Sequence, residues 1–142
     1  MSGSSGLERL RAVIDGERPG PRMWAVAGIA MAEAERGRVT LRGRPTGDHT
    51  NGIGSIHGGW AATILDSAMA TAVQSQLNQA AAYTTVELKI SFIRPIAPGM
   101  NVTAMGKVIN AGRRLMVAEG QIHDDTGRLL AHGTTTCMLL QG

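Results

Sequence analysis

The chain has 142 residues, 43% of them hydrophobic and 18% charged, with a net charge of +3, which bounds it to one globular domain with a single sizeable core. So mild a charge, with aromatics at only 3%, excludes a nucleic-acid surface of alternating basic and aromatic side chains, and no apolar run is long enough to span a membrane. The opening MSGSSGLERL has no apolar leader segment, and the single cysteine, Cys137, cannot form an internal disulfide and fits a reducing cytosol, so a cytoplasmic protein is expected.

In chain order, Leu7 to Ile14 carries apolar residues at 7, 10, 13 and 14 and predicts a short amphipathic helix ending at Asp15-Gly16. With the polar start it makes residues 1–22 a tail and helix lying over a domain of residues 23–142. Trp24 to Glu33 and Arg38 to Arg44 read as strands joined across Glu35-Arg36-Gly37, although the Ala-rich first segment also suits a helix. A loop rich in Gly, Asp, His and Asn follows from Pro45 to Ser55.

From Gly59 to Leu77 the apolar positions Ala61, Ile64, Leu65, Ala68, Met69, Ala72 and Leu77 keep helical spacing with no Pro or Gly between them. A helix this apolar is buried. Val86, Leu88, Ile90 and Phe92 then alternate with polar residues, predicting a strand with one buried face. Turns at Ala97-Pro98-Gly99, Ala111-Gly112 and Asp124 to Gly127 separate Asn101–Asn110, Arg114–His123 and Arg128–Leu140, with Met116, Ala118 and Ile122 on one face. Such short connections predict an antiparallel meander after a long apolar helix, an α+β arrangement.

Asp66 is the anomaly, the one charged residue between Asn51 and Val86. Asp is a poor interior helix former and is rarely fully buried. A polar stripe through Thr63, Ser67, Ala70, Thr71 and Gln74, facing water, would accommodate it without any use. The start of the helix favours a use. His57 is followed by Gly58 and Gly59, whose backbone N–H groups lie uncovered at the positive end of the helix dipole, where a developing oxyanion binds well. A carbonyl-polarising end and a lone acid point to acyl chemistry.

Asn51, His57-Gly58-Gly59 and Asp66 nine positions after the His, followed by Val86 to Pro95, together resemble the hotdog-fold acyl-CoA thioesterases, in particular the phenylacetate-pathway (PaaI-like) branch. The resemblance spans roughly residues 37–140. It implies an antiparallel sheet wrapped around the central helix and an acyl-CoA thioesterase that yields free acid and CoA. The implied roles are Gly58 as oxyanion donor, Asp66 as general base or nucleophile, and Asn51 and His57 as orienting groups. Gly59, Trp60 and Thr85 are expected to contact substrate, and Arg94, Arg113 and Arg114 to meet the phosphates of coenzyme A, although surface arginines need no such use. No cofactor is expected beyond the CoA of the substrate, and no metal, because Asp48, His49 and His57 lack zinc-ligand spacing. A non-catalytic acyl-CoA binder and an enoyl-CoA hydratase are the competing readings, the second weakened because Asp48-His49 lacks the expected spacing.

Helix geometry adds a quaternary expectation. Gly58 and Asp66 are eight positions apart, about 12 Å along the axis at about 1.5 Å per residue, too far to act on one carbonyl. Two antiparallel helices about a two-fold axis would set Gly58 of one copy against Asp66 of the other. A homodimer with two composite sites is expected, and the resemblance implies that it is commonly doubled to a homotetramer.

Overall fold

The computed structural model of the chain describes residues 4–78 and 81–140. Helix α1 (Gly6–Ile14) begins on a capping box in which Ser5 Oγ accepts from the Glu8 N–H and Glu8 Oε1 accepts from the Ser5 N–H. Helix α2 (Arg22–Ala27) follows and stops at Gly28, which takes the left-handed conformation at φ 72°. Strand β1 therefore covers only Ile29–Glu35, and the strand expected from Trp24 is corrected over its first residues. There the helix-forming alanines prevail until the glycine.

Strand β2 (Arg38–Gly43) returns antiparallel to β1 across Gly37, whose φ of 84° supplies the turn. After the 45–57 connection comes the central helix α3 (Gly58–Gln74), then β3 (Ala82–Phe92), β4 (Val102–Ala111), β5 (Leu115–Asp124) and β6 (Leu129–Leu140). The six strands form one antiparallel sheet in the order β1-β2-β4-β5-β6-β3, packed around α3 in the expected hotdog arrangement. Only part of the predicted meander is present. Strands β4, β5 and β6 are consecutive neighbours, but β3 pairs with β6 and the 93–101 connection crosses over rather than closing a hairpin.

Two features of the sheet seat the helix. In the register, Gly106, Gly120 and Gly133 lie side by side across β4, β5 and β6. A Cβ at Gly106 would stand 2.2 Å from the Ala68 carbonyl oxygen, and one at Gly120 2.8 Å from Leu65 Cδ1. In this glycine band, Gly106 and Gly120 let the sheet close onto α3, while a Cβ at Gly133 would meet the Lys89 carbonyl of β3. Against the sheet Ile64, Leu65, Ala68, Met69, Ala72 and Val73 are fully buried, with Met116, Ala118 and Ile122 facing them from β5. Burial of this kind is worth about 1.5–3 kcal/mol for each large side chain.

The two sheet edges differ. Along β1, α1 packs against the strand and Arg11 Nε donates to the Ala34 carbonyl. Along β3 no described element covers the edge. Leu88, Ile90 and Phe92 share the helix side of the sheet as their alternation predicts, through pairing with Thr135, Gly133 and Ala131. The expected burial of that face is not met within one chain, because β3 overhangs α3. Leu88 is 39% and Phe92 59% exposed, and Val86, left unpaired at a bulge between Thr85 and Glu87, is 52% exposed.

Candidate active site

Helix α3 starts at His57, which has extended φ and ψ and serves as N-cap. Its Nδ1 accepts from the Gly59 N–H at 2.8 Å, and its carbonyl accepts from the Trp60 N–H at 2.9 Å. The first bond needs a lone pair on Nδ1 and so puts the ring proton on Nε2. The Gly58 N–H has no acceptor among the described residues. Of the two glycines, Gly58 thus offers the open donor, while Gly59 is committed to the cap. Phe92 lies against Gly58, its Cζ 3.2 Å from where a Cβ would stand.

A cleft of about 310 Å³ opens here, lined by His57, Gly58, Phe92, Ile93, Arg94 and Ala131 among others. Asn51 shapes the approach to the cap. Its Oδ1 accepts from the N–H groups of Ile53 and Ser55, and its Nδ2 donates to Ser55 Oγ. Both ends of the amide close the 51–55 loop. His49 is likewise committed, with the Thr46 N–H on Nδ1 and the Val26 carbonyl on Nε2, so neither ring nitrogen is free for the chemistry weighed for Asp48-His49.

Asp66 is half-buried in mid-helix. Thr85 Oγ1 donates to its Oδ1 at 3.0 Å. The bulge that follows Thr85 re-registers β3, a device often found beside functional sites. Burial pushes the Asp66 carboxyl above the ordinary carboxylate value, while the Thr85 hydroxyl partly opposes the shift by favouring the charged form. A carboxylate shifted this way is better matched to general-base work near neutral pH. Behind Thr85 stands Cys137, fully buried, its Sγ 3.9 Å from Thr85 Oγ1. Burial also raises its thiol, which suits a packed, unreactive side chain.

A Thioesterase superfamily model matches residues 53–131, more than half of the chain, from the loop before α3 into β6. The chain belongs to the thioesterase superfamily. Acyl-coenzyme A thioesterase 13 of Homo sapiens is 27% identical over 135 residues, which cover 94% of this chain and 96% of that protein. The structure of the E. coli PaaI protein, from the phenylacetic acid degradation operon, superimposes with a TM-score of 0.85 over 97% of this chain and 98% of its own; at 22% identity it shares the fold. A thioesterase family protein from Silicibacter pomeroyi is 30% identical, with a TM-score of 0.82 over 97% of this chain and 100% of its own.

Within this superfamily chain the structure gathers some of the predicted residues and separates others. His57, Gly58 and Arg94 share the cleft at the head of α3, and Thr85 meets Asp66. Trp60 turns into the core, where its Nε1 donates to the Ala27 carbonyl at 2.7 Å, and is not among the residues lining that cleft. Arg113 and Arg114 occupy the β4–β5 turn, exposed. The Arg114 carbonyl accepts from Leu139, whereas Arg94 is tied to Leu129 and Leu130. Nine residues of β6, on the order of 30 Å at about 3.3 Å each, separate the two arginine positions within one chain. A larger cleft of about 600 Å³, lined by Trp24, Arg42, Arg44, Asn101 and Asp125 among others, contains none of the predicted site residues. The sequence reading missed Phe92 as the neighbour of Gly58, because an apolar residue in an alternating strand carries no mark of it.

Proposed function

We propose that this thioesterase-superfamily chain hydrolyses acyl-CoA thioesters as a homodimer with two composite sites. The observation that carries the reading is the half-buried Asp66, held by Thr85 beside the bare β3 edge, about 12 Å along α3 from the open Gly58 N–H. Thr85 marks the place of Asp66 on the strand, and Phe92 marks that of Gly58. A two-fold axis through β3 near Leu88 and Lys89 would set Thr85 of one copy opposite Phe92 of the other. It would thereby bring Asp66 of one against Gly58 of the other and cover Leu88 and Phe92 in both.

In such a site the Gly58 N–H, at the positive end of the α3 dipole, polarises the thioester carbonyl and holds the oxyanion. Asp66 of the other copy takes a proton from water as the water oxygen bonds to the carbonyl carbon. Collapse of the tetrahedral intermediate breaks the carbon–sulfur bond, and the CoA thiolate leaves with the proton from Asp66. His57 offers Nε2–H at the mouth of the cleft, and Asn51 positions the loop that delivers it. The human relative, named for acyl-coenzyme A, supports CoA as the thiol.

The test mixes two inactive variants, Asp66→Asn and Gly58→Pro. Proline suits the first position of a helix, and the extended ψ of 138° at His57 suits a residue before proline. The Phe92 ring, whose Cζ lies 3.2 Å from where a Cβ would stand, must give way. Each homodimer is expected to be dead. A mixed dimer has one site with both lesions and one with neither, so subunit exchange restores up to about half of wild-type activity per mixed dimer. If both variants fold, dimerise and exchange without rescue, the composite site is refuted.

A further inference from the structure

The cleft of about 310 Å³ at Gly58 has two unlike ends. Its rim is formed by His57, Phe92 and Arg94, all exposed, whereas Ile56, Ala61, Ile96, Leu130 and Ala131, all buried, close it from within. The inner end is therefore wholly apolar. Gly58 and Ala61 lie about one turn apart on the same side of α3, on the order of 4.5 Å along its axis at about 1.5 Å per residue. Ala131 is the cross-strand neighbour of Phe92, the ring that lies against Gly58. The two alanines thus stand just inside the Gly58–Phe92 contact. Backbone hydrogen bonds fix the walls around them. The Ile56 N–H donates to the Ile96 carbonyl at 2.9 Å, and the N–H groups of Ile93 and Arg94 both donate to the Leu130 carbonyl, at 2.8 and 3.1 Å. The segment before α3, the 93–101 connection and β6 are joined around the cleft, so its size is set before anything enters.

On the thioesterase reading, on which this inference rests, the Gly58 N–H holds the substrate carbonyl at the entrance of the cleft. The two groups on that carbonyl carbon differ in size. Coenzyme A is far larger than a space of about 310 Å³, so it stays outside and only the acyl group can enter. We infer that the inner end of this cleft is the acyl pocket, with Ala61 and Ala131 as its floor, and that it takes compact acyl groups rather than long fatty-acyl chains. The volume lies at the small end for ligand pockets, and buried side chains close it. A long chain has no exit there. The two alanines are then specificity-determining residues, since each leaves space that a larger side chain would fill.

The experiment measures CoA release from straight-chain acyl-CoAs, acetyl to palmitoyl, by the wild type, Ala61→Leu and Ile96→Ala. For the wild type, kcat/KM is expected to peak among the short chains and to fall about tenfold or more by palmitoyl. Ala61→Leu raises the floor, so the ratio of hexanoyl to acetyl kcat/KM should drop about tenfold or more. The drop should reside in KM, since a displaced Gly58 N–H would instead lower kcat at every chain length. Ile96→Ala deepens the inner end and shifts the ratio the other way; if Ala61→Leu fails to fold, Ile96→Ala decides alone. Wild-type hydrolysis that is fastest on palmitoyl-CoA, or a length profile unmoved in the folded variants, overturns the acyl pocket while leaving the thioesterase reading intact. A wild type inactive on the whole series overturns both.

Discussion

The two edges of the sheet are finished in different ways. At β1 the chain supplies its own cover, an α1 helix capped by Ser5 and Glu8 and tied through Arg11 to the Ala34 carbonyl. At β3 it leaves an eleven-residue strand with Leu88 and Phe92 exposed. An uncovered apolar edge is an aggregation hazard unless something occupies it. Thr85 and Phe92, which touch the two halves of the candidate site, lie on that unfinished edge. Under the proposed composite site, the β3 edge would carry both assembly and hydrolysis, whereas the β1 edge is closed by the chain itself.

A charge on the open edge is expected to have the largest effect. Leu88→Lys would bury an ammonium at the proposed two-fold contact, which desolvation opposes. The variant is expected to sediment as a monomer and to lose about 10²-fold or more of turnover, although Leu88 is not among the lining residues of the cleft at Gly58. A monomer that retains wild-type hydrolysis would show that one chain makes the whole site.

A smaller effect concerns the pH dependence of folding. Burial raises the Asp66 carboxyl above its unfolded value, so the folded chain keeps the proton longer than the unfolded one. That contribution is fully present below the unfolded carboxylate value and is lost as pH rises through the folded one. Asp66→Asn removes the loss. The variant is expected to melt above the wild type at neutral pH, with the two approaching each other in acid, when scanned at one protomer concentration. A variant that melts below the wild type at neutral pH would mean that ionised Asp66 stabilises the fold, and the argument for a functional carboxylate would weaken.

How much of this was legible depends on how local each signal is. Helix α3 was readable because its apolar spacing is long and uninterrupted, and Asp66 stood out because nothing charged surrounds it. The inner face of β5 was readable from Met116, Ala118 and Ile122. By contrast, α2 turns on one left-handed residue, Gly28, after alanines that suit either state. The pairing of β3 with β6 is a long-range choice that turn chemistry does not fix. The glycine band is invisible along the chain, since Gly106, Gly120 and Gly133 become neighbours only through register. In the site, the sequence marked Asp66 and Gly58 but left their contacts dark, because Thr85 meets Asp66, and Phe92 meets Gly58, only once β3 is placed beside α3 by its pairing with β6. Arg94 and Arg113 look equally basic in sequence, and only the length of β6 separates them.

The smallest expected effect belongs to the closed edge. Ser5 caps α1 by accepting from the Glu8 N–H at 3.1 Å, and replacing such a cap with alanine costs about 1 kcal/mol. The helix it caps docks tightly. The Gly6 N–H donates to the Leu77 carbonyl at 2.9 Å, and a Cβ at Gly6 would overlap the Gln74 carbonyl. Leu10 is buried beneath it. Ser5→Ala should therefore lower the melting temperature by a few degrees, an effect of about 1 kcal/mol for a chain of this size. Turnover should not change, because the capped end of α1 meets α3 at Gln74 and Leu77, the end far from Gly58. Dimerisation should also persist, since β1 and β3 are opposite edges of the sheet. A folded, dimeric Ser5→Ala protein that has lost hydrolysis would show that the edges are not independent and that α1 helps to hold the site.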